Sequence, residues 1–107
     1  MDALVVLLTA PSEEEAARIA GILVAERLAG CVNIIRDIRS IYFWQGKIED
    51  EKEVLMIAKT RRQLFQSLAA RVKELHSYTV PEVIAMPVTL GSEEYLNWLK
   101  ETTEQNE

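Results

Sequence analysis

The hydrophobic and polar positions of this chain form strand-like runs separated by helix-like periods. Leu4-Val-Val-Leu-Leu-Thr9 is a short, continuous apolar run, which is typical of a strand in the middle of a sheet. Ser12 then provides the N-cap of a helix, because its hydroxyl can accept from the amide of Glu15, whose carboxylate can reach back. Gly30 can end this helix in the left-handed conformation. The apolar residues of the helix share one face, and they are Ala16, Ile19, Ala20 and Leu23.

The segment from Cys31 to Thr60 predicts a long β-hairpin. Two arms rich in β-branched and aromatic residues, 31–44 and 47–60, flank Gln45-Gly46, where glycine tolerates the positive φ of a tight reversal. Arms of about 14 residues at about 3.3 Å per residue reach about 45 Å, whereas a compact chain of this size measures about 35 Å across. We therefore expect the tip of the hairpin to overhang its own domain.

An overhanging tip exposes strand edges and apolar side chains that proteins usually cover. We therefore expect a homo-oligomer in which the hairpin lies on neighbouring subunits, with Ile41, Phe43 and Trp44 at the interface. A regular pairing about the turn places Ile38 opposite Glu53, which matches an apolar residue with a charged one. One extra residue in the downstream arm, in a β-bulge near residues 49–53, would place Ile38 opposite Val54 instead.

The second half of the chain predicts a helix and then an edge strand. The helix covers residues 61–75. The segment 80–88 reads as a strand, and it belongs at the edge of a sheet because Pro81 and Pro87 cannot donate to a strand ladder. The predicted buried face of the helix consists of Leu64, Leu68, Val72 and Leu75.

Ser92 is positioned to cap a C-terminal helix, and the polar tail after Lys100 is expected to fray. The order of elements is therefore βαββαβ followed by a helix, which predicts a ferredoxin-like α+β sandwich with strand order 4-1-3-2. We expect a single domain over residues 1–107, with a long protruding β-hairpin and a C-terminal helix. The residues of that helix expected to face inward are Tyr95, Leu96 and Leu99.

The composition is that of an ordinary globular domain, with 49% hydrophobic and 27% charged residues. The formal net charge of −5 and the scattered basic residues argue against nucleic acid as a main partner. A single cysteine excludes an intrachain disulfide framework and fits a reducing compartment. The first residues lack the positive region of a signal peptide and reach Pro11 too early for a membrane span. A cytoplasmic protein without a membrane partner is expected.

Several motifs, in the order in which they occur, resemble those of one known family. They are Thr9-Ala-Pro-Ser12, Glu26-Arg-Leu-Ala-Gly-Cys-Val-Asn33, Ser40-Ile-Tyr-Phe-Trp-Gln-Gly-Lys-Ile48, Lys59-Thr60, His76-Ser-Tyr-Thr-Val-Pro-Glu82 and Tyr95-Leu-Asn-Trp-Leu99. Together these motifs span nearly the whole chain, which resembles the CutA (CutA1) divalent-cation tolerance proteins. The resemblance implies a ferredoxin-like subunit similar to the signalling protein PII, assembled into a trimer through extended hairpins. It also implies a cytoplasmic protein involved in tolerance to copper and other divalent metals, with no defining catalytic activity.

The chain departs from that family in two respects. The usual His-Pro-Tyr reads His76-Ser77-Tyr78 here, so the loop loses a rigid residue. Some relatives also carry extra Cys and His residues that are implicated in copper binding. This chain has one residue of each type, which argues against tight thiolate-type binding of Cu(I).

His76, the only imidazole, has two interpretations. It follows the second helix, where it can cap the last carbonyls and complement the helix dipole. Alternatively, it is a metal ligand, since imidazole suits copper and zinc. A lone histidine cannot hold a metal tightly, so the site would also need Glu82, a backbone group or copies from other subunits. The expected cofactor is a divalent metal ion, with copper the ion that the resemblance implies.

The other candidate residues are polar or aromatic. Cys31 is expected to be a small buried hydrophobe. The aromatic residues of the tip, Tyr42, Phe43 and Trp44, form either a ligand-stacking surface or an interface anchor, and the interface is favoured. Lys59, Tyr78 and Glu82 would converge, with Tyr42 and Trp44, on a cleft for a small anion or a metal-linked ligand.

The acidic run at residues 49–53 resembles a cation site at first sight. Alternation along a strand sends successive carboxylates to opposite faces, so we expect them not to converge on one ion. A solvated charged edge that prevents aggregation is the favoured interpretation.

Three functional hypotheses follow. The first is a non-enzymatic, trimeric, PII-like protein that binds a metal or small ligand between subunits and contributes to divalent-cation homeostasis. The second is a trimeric scaffold for other partners, in which metal contact is incidental. The third is an acylphosphatase-like enzyme on the same topology. The third is disfavoured because the loop Thr9-Ala-Pro-Ser12 leads into acidic residues and lacks the glycine and arginine of a phosphate-binding loop.

Overall fold

The computed structural model describes residues 2–105 of the chain. Eight elements follow one another along these residues: β1 Ala3–Ala10, α1 Glu13–Ala25, β2 Cys31–Trp44, β3 Lys47–Arg61, a 3₁₀ turn Arg62–Leu64, α2 Phe65–Leu75, β4 Val83–Pro87 and α3 Glu93–Thr102. This order is βαββαβ with an additional C-terminal helix. No helix within the described residues is long and apolar enough to cross a membrane.

The four strands form one antiparallel sheet in the order β2-β3-β1-β4. The predicted ferredoxin-like arrangement is confirmed, with β1 in the interior and β2 and β4 at the edges. β4 is shorter than the predicted strand, because it begins at Val83 and leaves Pro81 in the preceding loop. Pro87 ends the strand opposite Leu4, and the next residue still bonds to β1, because the amide of Val88 donates to the carbonyl oxygen of Ala3 over 3.0 Å.

The core lies between one face of this sheet and the helices α1 and α2. Alternate residues of β1 and β3 point to this face, as the period of a strand requires. The predicted buried face of α1 is confirmed, and Leu64, Leu68 and Val72 are buried below α2, with Leu75 partly buried. The largest fully buried side chains of this core are Leu8, Ile19, Leu23, Met56, Leu68, Val6 and Val72.

The other face of the sheet is only partly covered, and we call it the open face. α3 lies over its base, where Arg61 donates from Nε to the hydroxyl of Thr103 over 2.8 Å. Leu99 is buried there, and a Cβ atom on Gly30 would lie 2.6 Å from its Cδ1. Beyond α3 the open face is apolar and partly or largely exposed, through Val5, Leu7, Ile35, Leu55, Ile57, Ile84 and Met86.

Two predictions about α3 were wrong. Tyr95 remains substantially exposed and packs beside Trp98, so of the three residues expected to face inward only Leu99 is fully buried. The tail also does not fray at Lys100, because Thr103 is buried and bonded to Arg61. The final part of that predicted tail, residues 106–107, lies outside the described residues.

The beginning of α1 matches the prediction, but its end does not. The amide of Glu15 donates to the hydroxyl of Ser12 over 3.1 Å, which is the expected N-cap. The carboxylate of Glu15 does not reach back to the cap, because it binds Ser77 instead. The helix ends at Ala25, and Arg27 rather than Gly30 adopts the left-handed conformation, with φ of 60°.

The hairpin protrudes as expected. Gln45 and Gly46 both have positive φ, of 52° and 80°, which is the backbone of a two-residue turn matched to the twist of its strands. The chain measures 44 Å along its longest axis and 29 Å along the next. Phe43 is 74% exposed at the tip, and its cross-strand neighbour Ile48 is 68% exposed. The aromatic tip therefore does not fold back onto its own core.

The predicted bulge exists but lies in the other arm. Near the tip Ile38 pairs with Glu53, whereas closer to the base Ile35 pairs with Leu55. Two residues of β2, Arg36 and Asp37, therefore stand opposite the single residue Val54 of β3. Asp37 adopts φ of 61°, a conformation that aspartate tolerates better than most residues. The expectation of an extra residue in β3 was wrong.

Candidate functional site

A cleft of about 780 Å³ lies beside the hairpin, beyond the point where β1 ends. One wall is the hairpin, on the side continuous with the open face of the sheet. The other wall is the loop between α2 and β4, in which residues 77–80 and Glu82 line the cleft. Concave sites of this size are typical of small-molecule binding.

The hairpin wall combines aromatic and acidic side chains. Tyr42 and Trp44 line it from β2, and three glutamates line it from β3. Those glutamates occupy alternate positions, so the period of a strand sends them to one face. They are Glu49, Glu51 and Glu53. Alternation sends the immediate neighbour Asp50 to the other face, where it accepts two hydrogen bonds from Arg39. The prediction that successive carboxylates face opposite sides did not consider that every second one shares a face.

Tyr42 is held by the glutamate next to it on the hairpin. Its hydroxyl donates to Glu51 Oε1 over 2.6 Å. This hydrogen bond, together with burial and the charges of Glu51, Glu53 and Glu49, raises the pKa of Tyr42 to about 12. The phenol is therefore neutral at physiological pH and presents its ring to the cleft.

Tyr78 joins the two walls of the cleft. Its hydroxyl donates to Glu53 Oε2 over 2.8 Å. Burial, followed by the hydrogen bond and charge of Glu53, raises the pKa of Tyr78. Glu53 itself is only 6% exposed, although it lies on the solvent side of a protruding hairpin. The register that places this glutamate opposite Ile38 is thus explained by a partner from a distant loop.

His76 holds the loop that carries Tyr78. It is 8% exposed, and its Nε2 lies 2.7 Å from the carbonyl oxygen of Thr9. The amide of Tyr78 donates to Nδ1 over 3.0 Å, so Nδ1 is an acceptor and Nε2 is the donor to Thr9. Both ring nitrogens therefore have protein partners in this conformation. The imidazole caps the end of β1 rather than the carbonyls of α2.

Ser77 fixes the same loop to α1. Its amide and its hydroxyl both donate to Glu15 Oε2, over 2.8 Å and 2.9 Å. Burial acts to raise the pKa of Glu15, but these two hydrogen bonds, with the charges of His76 and Arg18, hold it below its ordinary value. A proline at this position would have no amide hydrogen to donate. Ser77 therefore fixes the loop through two hydrogen bonds, of which a proline could make neither.

The candidate residues from the sequence are only partly brought together. Tyr42, Trp44, Tyr78 and Glu82 line the cleft, but Lys59 and His76 do not. Lys59 lies about 20 Å along β3 from Glu53 and donates to Asn33 on the open face. Among the described residues, therefore, no lysine lines the cleft to bind the small anion that we had expected there.

The structure also gives the positions of three other residues singled out in the sequence, Cys31, Ile41 and Phe43. Cys31 is partly exposed on the open face, so the expectation of a fully buried thiol was wrong. Phe43 alternates with Tyr42 and Trp44 along β2 and does not line the cleft, whereas Ile41, which alternates with them in the same way, still forms part of the cleft lining. Within residues 2–105 no group of three His, Cys, Asp or Glu side chains is arranged to hold a metal ion.

The most informative residue of the cleft, Glu53, was missed as a functional candidate. The spacing of Glu49, Glu51 and Glu53 was a usable signal, because residues two apart share a face of a strand. The partner Tyr78 had no comparable signal, since it lies in a loop 25 residues further along the chain.

Comparison with known proteins agrees with this fold and these motifs. The family model described as CutA1 divalent ion tolerance protein matches residues 4–102. The chain belongs to the CutA1 family. The divalent-cation tolerance protein CutA of Thermus thermophilus is 54% identical over 99 residues, which cover 92% of this chain and 96% of that relative. The family is named for tolerance to divalent ions, so a role in metal tolerance is the function that membership supports.

A solved structure and a plant relative extend the comparison. The structure of the divalent cation tolerance protein (Cut A1) from Thermus thermophilus superimposes with a TM-score of 0.93 at 52% identity, covering 95% of this chain and 99% of that chain. The rice protein CutA 1, chloroplastic, is 46% identical over 103 residues, which cover 96% of this chain. The matched region is 58% of the rice protein's length. CutA1 proteins of different length thus share this domain.

The contact between Ser77 and Glu15 predicts a pH-dependent stability. Because the folded pKa of Glu15 lies below its unfolded value, the stabilisation is present above the unfolded pKa and is lost as the pH falls through the folded pKa. Ser77→Ala removes the hydroxyl donor and is expected to lower the free energy of unfolding by about 0.5–1.5 kcal/mol at about pH 7. Urea denaturation should show this difference shrinking at about pH 3.

Ser67→Ala is the matched control for that comparison. Ser67 is exposed on α2 and makes no side-chain hydrogen bond to any residue of the described chain, so it should be neutral or slightly stabilising at both pH values. A Ser77→Ala deficit that stays constant between the two pH values would contradict the role assigned to Glu15.

Proposed function

We propose that this CutA1-family protein is a non-enzymatic, PII-like homotrimer that binds a divalent metal ion or a small ligand at clefts between subunits. In this role it contributes to divalent-cation homeostasis, with copper as the ion. The exposed apolar part of the open face is the observation that supports the proposed trimer. Three apolar side chains there, Ile35, Ile84 and Met86, are 43–56% exposed, and the exposed tip lies at the end of the same sheet. Four more beside them are partly exposed, namely Val5, Leu7, Leu55 and Ile57. Contiguous apolar surfaces of this kind are typical of subunit interfaces.

The cleft supports the binding part of the proposal. It adjoins the open face, so a neighbouring subunit packed on that face would form part of its boundary. Its lining includes four glutamates and no lysine, arginine or histidine, which favours a cation over an anion. Glu82 is the candidate metal ligand that lies in the cleft, whereas His76 would have to release Thr9 or Tyr78 to take part. The proposed location is the cytoplasm, although the rice relative is named chloroplastic.

A second candidate function is a trimeric scaffold in which metal contact is incidental. Two observations favour it. Both ring nitrogens of His76 are engaged by the protein, and the described residues contain no group of three metal ligands. A scaffold needs the assembly and its outer surface, but it needs no metal site in the cleft.

The mass of the protein in solution tests the assembly. Light scattering of the wild type at micromolar concentration should give three times the chain mass of 12.2 kDa. Phe43→Asp places a charge on the exposed apolar tip and should shift the equilibrium toward smaller species. Val24→Asp is the control, because Val24 is a partly exposed apolar residue of α1, away from the tip and the open face. A wild-type protein that remains a monomer refutes the assembly.

Titration with Cu(II) distinguishes metal binding from the scaffold. The proposal expects Glu82→Gln and His76→Ala each to weaken binding of Cu(II) by at least about tenfold, since both side chains are of types that copper accepts. Glu14→Gln, which removes one charge from the exposed surface of α1, should leave the affinity unchanged. If neither Glu82→Gln nor His76→Ala changes the affinity, the scaffold is the better account.

A further inference from the structure

The cleft contains a buried carboxylate that has no cationic partner in the described chain. Oε2 of Glu53 accepts from Tyr78, and Oε1, which accepts no hydrogen bond from residues 2–105, retains contact with solvent. No lysine or arginine of these residues forms an ion pair with Glu53. At 6% exposure its access to water is small. Its one partner, the neutral hydroxyl of Tyr78, stabilises the negative charge less than a cation would. A positively charged group of a ligand would therefore be stabilised most strongly beside Glu53.

The remainder of the cleft has the same preference. Glu49, Glu51 and Glu82 add three carboxylates to its lining, and no lysine, arginine or histidine offsets them there. A concave surface with charges of one sign concentrates the field inside it. Phosphate and carboxylate ligands would be repelled, and cations would be attracted.

The aromatic side chains of the cleft indicate what kind of cation fits. Tyr42, Trp44 and Tyr78 line the cavity together with the carboxylates. The faces of aromatic rings attract ammonium groups and also pack against methylene groups. The two phenol hydroxyls already donate to Glu51 and Glu53, so their rings, rather than their hydroxyl groups, are left for a ligand.

A bare metal ion fits this arrangement less well than an organic cation. Metal ions in proteins are held by several oxygen, nitrogen or sulfur ligands that converge at short range. Among residues 2–105 no three side chains of the usual ligand types do so. An ammonium group requires only individual hydrogen bonds to separate oxygens, and charge-assisted bonds of this kind are strong.

We propose that the cleft binds a small organic cation of the alkylammonium class. Its charged nitrogen lies at Glu53 and Glu51, and its hydrocarbon part lies against Tyr42, Trp44 and Tyr78. The proposal rests on the proposed function, because it takes the cleft as a ligand site, and it adds the chemical class of the ligand. The volume of about 780 Å³ accommodates a small molecule and leaves room for a boundary from a neighbouring subunit.

Calorimetric titration with 1,4-diaminobutane and tetramethylammonium tests this proposal, with 1,4-butanediol as the neutral probe of similar length. The cations should bind and should shift the indole N–H resonance of Trp44, whereas the diol should bind at least about tenfold more weakly. Glu53→Gln keeps the shape of the side chain and its acceptor for Tyr78, and should weaken cation binding by at least about tenfold. Glu14→Gln makes the same charge change outside the cleft and should alter binding by less than about twofold.

Two further measurements keep the test decisive. If Glu53→Gln fails to fold, Trp44→Leu at the exposed tip replaces it and should weaken cation binding in a folded protein. Absence of cation binding by the wild type up to about 10 mM, or equal binding of the diol, overturns the proposal.

Light scattering on the same samples distinguishes the proposed ligand class from the proposed assembly. A trimer that binds neither cation refutes only the ligand class. A monomer that binds them supports the ligand class and refutes the assembly.

Discussion

One extra residue in β2 controls which side chains reach the cleft. Val32 and Ile34 pack against the core, whereas Tyr42 and Trp44, also at even positions, line the cleft on the opposite side of the sheet. A strand without an irregularity would place all four on one face, because side chains alternate with a period of two. The bulge at residues 36–37 reverses the alternation, so that the even positions before it face the core and those after it face the cleft. It also keeps the two-residue turn in register.

The same shift joins the open face to the cleft. Glu53 pairs with Ile38 only because the tip keeps its own register, and the buried carboxylate then meets Tyr78 from the loop after α2. That loop is in turn fixed by His76 at the end of β1 and by Ser77 on α1. The proposed assembly and the proposed ligand binding would therefore use one continuous surface, made of the open face and the cleft.

The sequence predicted the elements that depend on local patterns. The strand order, the turn at Gln45-Gly46 and the cap at Ser12 follow from spacing and residue type alone. The arm of the bulge was misassigned because the mismatch between Ile38 and Glu53 appeared to need relief, whereas Tyr78 satisfies that glutamate in the folded chain. The contact of His76 with Thr9 could not be predicted from neighbouring residues, because the two lie 67 residues apart along the chain.

Cross-strand nuclear Overhauser contacts in the isotopically labelled protein test the register most directly. With the extra residue in β2, Ile38 contacts Glu53 and, in the same molecule, Ile35 contacts Leu55. Contacts between Ile38 and Val54 would instead place the extra residue in β3 and refute the register described above. Tyr42 and Trp44 would then have no structural reason to share a cleft with Glu53.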